Sequence, residues 1–273
     1  MTRYSGILGT FIVVLVVGCV NELNDVTGVA ASSNNSLGST APVPQSAEAM
    51  VAEIEDLIPG SGTWDRDALL DLYEWLDERF GVTNEAETVD NEFSPEELVE
   101  IACLAPGLPL AQRWSIMRDE MERRHPGKIA HDIHWTFNAA GNVVCQIAMV
   151  YASPTEYVAF FGTPIGASGF SGRYQKAEVW DIMVQGEMWT ARPGEFEKSV
   201  FVPGQYSYLA PDDRWTFRYV DSTWMIDYGR GNILSMFPYG VIRPAFFNTL
   251  DYGSALEQFI DYAKLVIQGL CSP

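Results

Sequence analysis

The sequence predicts a mainly β fold with flanking helices, in which an antiparallel barrel or sandwich is capped by C-terminal amphipathic helices. From about residue 132, short runs rich in β-branched and aromatic residues alternate with separators of Gly, Pro, Asn and Asp. A helix-start signal precedes this region, and a continuous apolar stripe at helical spacing follows it. Evenly spaced short strands between turn signals are typical of antiparallel barrels and sandwiches.

The N-terminus predicts a targeting segment. Arg3 precedes the apolar run Ile7–Val17, which is 11 residues long and so shorter than the roughly 20 residues that a spanning helix needs. Gly18, a small residue, and Cys19 follow this run. Residues 1–19 are therefore predicted to be a signal peptide with a lipobox, in which Cys19 is lipidated and anchors a bacterial lipoprotein. The alternative is a single-pass signal anchor.

Two further segments precede the main domain. Residues 20–46 are rich in Ser, Asn, Gly and Pro, which predicts a flexible tether. Residues 47–90 predict an acidic helical segment with one apolar stripe. Residues 46–100 hold 17 acidic and two basic residues, whereas residues 101–273 hold 17 acidic and 14 basic residues. The acidity is thus local, and the absence of a basic surface argues against a nucleic-acid partner.

The main domain is predicted to span residues 91–273. Ser94 is the expected N-cap of its first helix, with Pro95 at the first helical position and Glu97 completing a capping box. A second helix ends near residue 125, where proline and glycine prevent its continuation. The expected strands include Val143–Tyr151, Tyr157–Phe161, Trp180–Val184, Ser199–Val202, Trp215–Tyr219 and Trp224–Tyr228. The C-terminal stripe consists of Leu256, Phe259, Ile260, Ala263, Ile267 and Leu270.

Six segments of this domain occur in the order and rough spacing of a known family. They are RRHPG (123–127), WTFNAAG (135–141), SPTEYVAFFGTPIGASGFSGRY (153–174), AEVWD (177–181), FVPG (201–204) and TWMIDYGRG (223–231). In these segments the chain resembles the fungal sterol C-8 isomerases and the animal sigma non-opioid receptor, over about residues 94–270. The resemblance implies a cupin-like β-barrel, a homotrimer, C-terminal helices on a membrane surface and no cofactor. If the N-terminus is instead a single-pass signal anchor, the resemblance implies that the protein is anchored in the endoplasmic reticulum.

The resemblance also implies a site built from carboxylates. Moving a ring double bond requires an acid, a base and stabilisation of a carbocation, which two neighbouring carboxyl groups can supply. By resemblance, Glu178 is the acid and Asp227, where the family usually has glutamate, is its partner. Asp181 is an auxiliary carboxylate that matches the sigma receptor rather than the fungal enzymes. The expected pocket residues are Tyr157, Phe161, Trp224 and Tyr262, although aromatic residues in strands also form cores.

The predicted function is that of a sterol C-8 isomerase-like enzyme, which shifts a C8=C9 double bond to C7=C8. The alternative is a non-enzymatic, sigma-receptor-like protein that binds hydrophobic amines or lipids. In both, the partner is a sterol or another hydrophobic or cationic amphiphilic small molecule. A lipoprotein that only scaffolds partners is a third interpretation. The cluster His125, His131 and His134 lacks supporting cysteine or acidic ligands, so no metal site is expected.

Overall fold

A computed structural model describes residues 66–80 and 91–271 of the chain. The predicted signal peptide, lipidated Cys19 and 20–46 tether lie outside the described residues. Of the predicted acidic segment, helix α1 (Arg66–Phe80) is described.

The other described helices lie on both sides of the β region in the sequence. Helix α2 spans Pro95–Ala102, α3 spans Leu110–Arg124 and α4 spans Tyr252–Cys271. Ser94 has an extended backbone and its side chain accepts a hydrogen bond of 3.1 Å from the Glu97 N–H. Since this bond satisfies one of the free donors of the first turn, the predicted start of α2 is confirmed.

Eight strands form one antiparallel sheet. They are β1 (Thr136–Asn138), β2 (Cys145–Ala152), β3 (Glu156–Thr163), β4 (Ala167–Phe170), β5 (Ala177–Ala191), β6 (Ser199–Phe201), β7 (Tyr206–Leu209) and β8 (Thr216–Gly231). The hydrogen-bonded path runs β1-β2-β3-β8-β5-β6, with β4 also paired to β8 and β7 to β5. The described path is open between β1 and β6. The predicted mainly β, antiparallel fold is confirmed.

The two faces of the sheet have different roles, because successive side chains of a strand point to opposite sides. One face packs against α2 and α3 in a buried core that includes Leu98, Trp114, Phe160, Ile182 and Ile226. This face is called the helix face below. The other face borders a cavity and is called the cavity face.

A buried carboxylate fastens the chain just before α2 to the helix face. Glu156 is 1% exposed and accepts hydrogen bonds from the backbone N–H groups of Glu92 (2.8 Å) and Phe93 (3.0 Å) and from the Tyr228 hydroxyl (2.6 Å). Arg230 donates to the Phe93 carbonyl at 2.6 Å and also to the Tyr228 hydroxyl. Burial raises the pKa of Glu156, and these donors offset that effect only in part. We call these five residues the anchor cluster.

The chain after β8 closes the cavity side. A 3-10 turn (Ile233–Met236) and two short π-helical turns (Pro238–Ile242 and Pro244–Thr249) lead into α4. The predicted apolar stripe of α4 is buried through most of its length, with Phe259 fully buried and its ring centroid 4.8 Å from that of Phe237. The stripe therefore covers the interior of the fold. None of the helices in residues 66–80 and 91–271 combines the length and the apolar character that crossing a membrane requires.

Candidate functional site

The cavity face of the sheet encloses a cavity of about 140 Å3. Its walls are mainly apolar and aromatic, from strands β2, β3, β5 and β8 and from the turns before α4. These wall residues include Ile147, Met149, Phe161, Val179, Phe217, Ile233, Met236 and Phe237. Asp181 and Asp227 are the two acidic residues of the lining, and Tyr157, Tyr174, Tyr219 and Tyr262 border it as well.

Strand register brings the two aspartates together. Asp181 on β5 lies directly opposite Asp227 on β8 in the antiparallel ladder. Directly opposite residues point to the same face, with Cβ atoms about 4.5–5.5 Å apart. Two carboxylates therefore share one patch of a wall that offers little solvation. They are called the aspartate pair.

Each member of the aspartate pair accepts one hydroxyl hydrogen bond. The Tyr157 hydroxyl donates to Oδ1 of Asp227 at 2.9 Å, and the Ser207 hydroxyl donates to Oδ2 of Asp181 at 3.0 Å. Tyr157 lies opposite Gly229 on β8, and a β-carbon at Gly229 would overlap the tyrosine ring. The glycine therefore leaves the space in which the ring reaches Asp227.

The surroundings raise both carboxyl pKa values. Desolvation, followed by the charge of Asp181, raises the pKa of Asp227 to about 8, and the Tyr157 hydrogen bond opposes this. Desolvation raises the pKa of Asp181 to about 6 against the opposing bond from Ser207. Groups that interact this strongly titrate as a pair. Near pH 7 the aspartate pair accordingly holds one proton and one negative charge.

Glu178 is not part of this arrangement. It precedes Asp181 by three positions on β5, so the two side chains point to opposite faces. Its Oε2 accepts a hydrogen bond of 2.6 Å from the Tyr208 hydroxyl, and it lies opposite Arg230 in the ladder. The predicted acid/base pairing of Glu178 with Asp227 is corrected by this placement: the carboxyl group next to Asp227 is that of Asp181.

Trp224 also lies away from the cavity. It belongs to the helix-face core, where its ring centroid is 5.7 Å from that of Trp135 and 6.3 Å from that of Trp114. Asp227 differs from it by three positions on β8, so the side chains again point to opposite faces. The structure places the other predicted pocket residues, Tyr157, Phe161 and Tyr262, in the cavity wall.

The sequence analysis missed Ser207, Tyr174 and Tyr219. Tyr219 and Asp227 lie on one side of β8, but Asp221 and Ser222, which have positive φ angles, lie between them, so the alternation of side chains alone could not assign that side. Ser207 is a partner of Asp181 only because β7 pairs with β5, and no local motif signals that pairing.

The three histidines bond to carboxylates at separate places. His125 lies between Glu92 (2.8 Å) and Glu97 (2.9 Å), and His134 lies 2.6 Å from Asp261. His131 is 3.2 Å from Asp132. Within the part of the chain that the structure describes, no group of three or more His, Cys, Asp or Glu residues could hold a metal ion.

Comparison with solved structures finds matches at low overall similarity. An RmlC-like cupin from Shewanella frigidimarina is 13% identical, with a TM-score of 0.31 over 38% of this chain and 86% of that one. KdgF from a Halomonas species is 20% identical, with a TM-score of 0.28 over 32% of this chain and 78% of that one.

Comparison of sequences identifies the family. Sigma non-opioid intracellular receptor 1 from Gallus gallus is 32% identical over 175 residues, which are 63% of this chain and 78% of the relative. The erg2 homolog of Dictyostelium discoideum is 33% identical over 145 residues, which are 53% of this chain and 61% of the relative. The profile described as "ERG2 and Sigma1 receptor like protein" matches residues 81–272. The resemblance seen in the six sequence segments is thus confirmed, and the chain belongs to the ERG2 and sigma-1 receptor family.

Proposed function

We propose that the cavity binds a hydrophobic small molecule that carries a positive charge, with the aspartate pair as its counter-ion. The observation that carries this proposal is the direct opposition of Asp181 and Asp227 in an apolar, aromatic wall. An isolated charge in such surroundings is costly, and a cation of opposite charge offsets that cost. The faces of nearby tyrosine rings add a weaker attraction for cations.

The size of the cavity favours a compact ligand. A volume of about 140 Å3 is close to that of an engineered cavity of roughly 150 Å3 that admits benzene. A phenyl group with a short quaternary ammonium arm fits this description better than a rigid four-ring molecule.

The proposal is tested by a matched pair of ligands at several pH values. We expect an aryl trimethylammonium ligand to bind at least about tenfold more tightly at pH 7 than its neutral isostere, in which carbon replaces nitrogen. The quaternary ligand keeps its charge, so only the protein titrates. Its affinity should rise with pH in two steps that belong to the aspartate pair as a whole, near pH 6 and near pH 8. Below about pH 5 the preference for the cation should disappear, because both carboxyl groups are then protonated.

Calorimetric titration of both ligands measures this difference. Equal affinity for cation and isostere across the pH range would contradict a counter-ion role for the aspartate pair. The same series on Glu178→Gln serves as a control, since Glu178 lies on the opposite face and its loss should leave the preference unchanged.

A second candidate function is isomerisation of a ring double bond, from C8=C9 to C7=C8 in a sterol. It is favoured by the direct opposition of Asp181 and Asp227. Because desolvation raises both carboxyl pKa values, to about 6 and about 8, one member could give a proton near neutral pH while the other receives one. The protonated member would add a proton to one alkene carbon. The ionised member would stabilise the carbocation at the other alkene carbon and would then take a proton from the carbon on the far side of the cation. The double bond would thereby shift, and the pair would again hold one proton and one negative charge.

Incubation of the purified protein with a C8=C9 sterol tests this candidate. If it is an isomerase, the C7=C8 product accumulates, and Asp227→Asn lowers the rate by about 10²–10⁴-fold because one proton carrier is lost. If the protein binds the ammonium ligand but does not convert the sterol, the isomerase candidate is excluded and only the receptor-like function remains. Lipidation of Cys19, membrane-surface contact and trimer formation stay predictions.

A further inference from the structure

Three polar side chains form a row across three neighbouring strands. Ser207 on β7 lies opposite Asp181 on β5, and Asp181 lies opposite Asp227 on β8. Residues directly opposite each other in antiparallel ladders share a face. Ser207 therefore stands on the far side of Asp181 from Asp227.

Ser207 acts on Asp181 from outside the cavity. It is 2% exposed and does not belong to the cavity lining. Its hydroxyl oxygen lies 3.0 Å from Oδ2 of Asp181 and 3.9 Å from the Met188 sulfur. A thioether is a weak acceptor and a carboxylate is a strong one, so the hydroxyl proton points to Asp181.

The two hydroxyl groups that donate to the aspartate pair, those of Tyr157 and Ser207, thus differ in whether a ligand can contact them. Tyr157 borders the cavity, so a bound ligand can contact it directly and perturb its bond to Asp227. Ser207 is buried and does not line the cavity, so a ligand there would not contact its hydroxyl directly. A hydrogen bond to the charged form of a carboxyl group favours that form.

We propose that Ser207 is a positioning residue, which fixes the carboxyl group of Asp181 from the side away from Asp227 and favours its ionised form, so that the pair keeps a negative charge in neutral solution. The importance of this charge for a ligand rests on the proposed function. The effect of Ser207 on Asp181 does not, because both residues are part of the protein without ligand.

Carboxyl-carbon NMR titration of the protein without ligand tests this inference. Asp181→Asn and Asp227→Asn assign the two carboxyl signals. In Ser207→Ala we expect the lower titration midpoint of the pair to rise by about one pH unit, as a hydrogen bond to a charged group is lost. Ser207→Cys, which is nearly isosteric and has only a weak donor, should shift the midpoint in the same direction by less.

Ser235→Ala is the matched control. The Ser235 hydroxyl donates to the backbone carbonyl of Asn232 at 2.6 Å, so its removal deletes a hydroxyl bond without touching the aspartate pair. The titration midpoints of the aspartate pair in Ser235→Ala should equal those of the wild type. If Ser207→Ala and Ser207→Cys lower thermal stability but leave both midpoints within about 0.2 pH unit of wild type, Ser207 is merely structural and the inference is overturned.

Binding of the quaternary ammonium ligand provides a separate readout. In Ser207→Ala the acid limb of the binding curve should move to higher pH by the same amount as the NMR midpoint, because binding requires an ionised carboxylate. If wild type binds no such ligand, the proposed function fails while the NMR titration still decides the role of Ser207.

Discussion

Replacing both Asp181 and Asp227 with asparagine is expected to weaken binding of the aryl trimethylammonium ligand by at least about 10²-fold. Asparagine keeps the shape of the side chain but cannot ionise, so the double variant offers a cation a dry cavity without a counter-ion. Removing one partner of a buried charge pair costs about 3–5 kcal/mol, and each 1.4 kcal/mol is tenfold in affinity. Calorimetric titration at pH 7 measures the loss.

Single variants separate charge from geometry in this experiment. Asp181→Asn leaves Asp227 without the neighbouring charge that helps to raise its pKa, and Asp227→Asn leaves Asp181 with a pKa that desolvation still raises. Each should therefore lose less affinity than the double variant and should show one titration step instead of two. Glu178→Gln removes a carboxylate of the helix face and should bind as wild type does. A double variant with wild-type affinity would show that the ligand lies elsewhere.

Removing the side chain of Glu156 is expected to be the most destabilising substitution of a single carboxylate. Glu156→Ala leaves the N–H of Phe93 without its acceptor and the buried hydroxyl of Tyr228 without its carboxylate partner. It also removes the carboxylate that faces the charge of Arg230. Breaking such a buried network costs about 3–5 kcal/mol of unfolding free energy, which corresponds to a fall in Tm of about 10 °C for a chain of this size.

Thermal and urea unfolding measure this loss, with Glu195→Ala as the control. Glu195 also accepts a hydrogen bond from a backbone N–H, that of Arg192 at 2.8 Å, but on the exposed surface. Water can replace that acceptor, so the control should unfold close to wild type. Comparable small effects of both substitutions would mean that the anchor cluster does not hold the chain before α2.

The helices were predictable because their signals are local. The N-cap at Ser94 and the stripe of α4 depend on spacings of three and four residues within one element. The antiparallel β architecture was predictable for a similar reason, since runs of β-branched and aromatic residues were separated by turn residues.

The lengths of β5 and β8 were not predictable in this way. The sequence analysis divided β8 into two short strands, Trp215–Tyr219 and Trp224–Tyr228, and Asp221 and Ser222 lie between them. In the structure both residues have positive φ angles, 35° and 30°, but β8 continues from Thr216 to Gly231. The register against β5 shifts beside Gly186, whose φ is 82°. The turn-like residues therefore mark β-bulges within long strands, where an extra residue bends the strand without ending it.

The site was predicted in part, and its main error has a simple physical origin. Asp227 and Asp181 were recognised through the family resemblance, but Glu178 was placed beside them. The strand period assigns residues 178 and 181 to opposite faces, so the sequence contained the correction. Ser207 is different, because only the pairing of β7 with β5 brings it to Asp181, and that contact spans 26 positions of the chain.

The anchor cluster and the aspartate pair lie on opposite faces of the same sheet. On β3, Glu156 of the anchor cluster precedes Tyr157 of the cavity, and on β8, Asp227 of the cavity precedes Tyr228 of the anchor cluster. Inserting or deleting one residue within either strand, where no β-bulge absorbs the change, would exchange the two faces beyond that point. A change of one codon in the length of either strand is therefore expected to be more harmful than most substitutions within it. Without a compensating bulge, such a change would direct the carboxylates of the aspartate pair at the helices and the anchor cluster at the cavity.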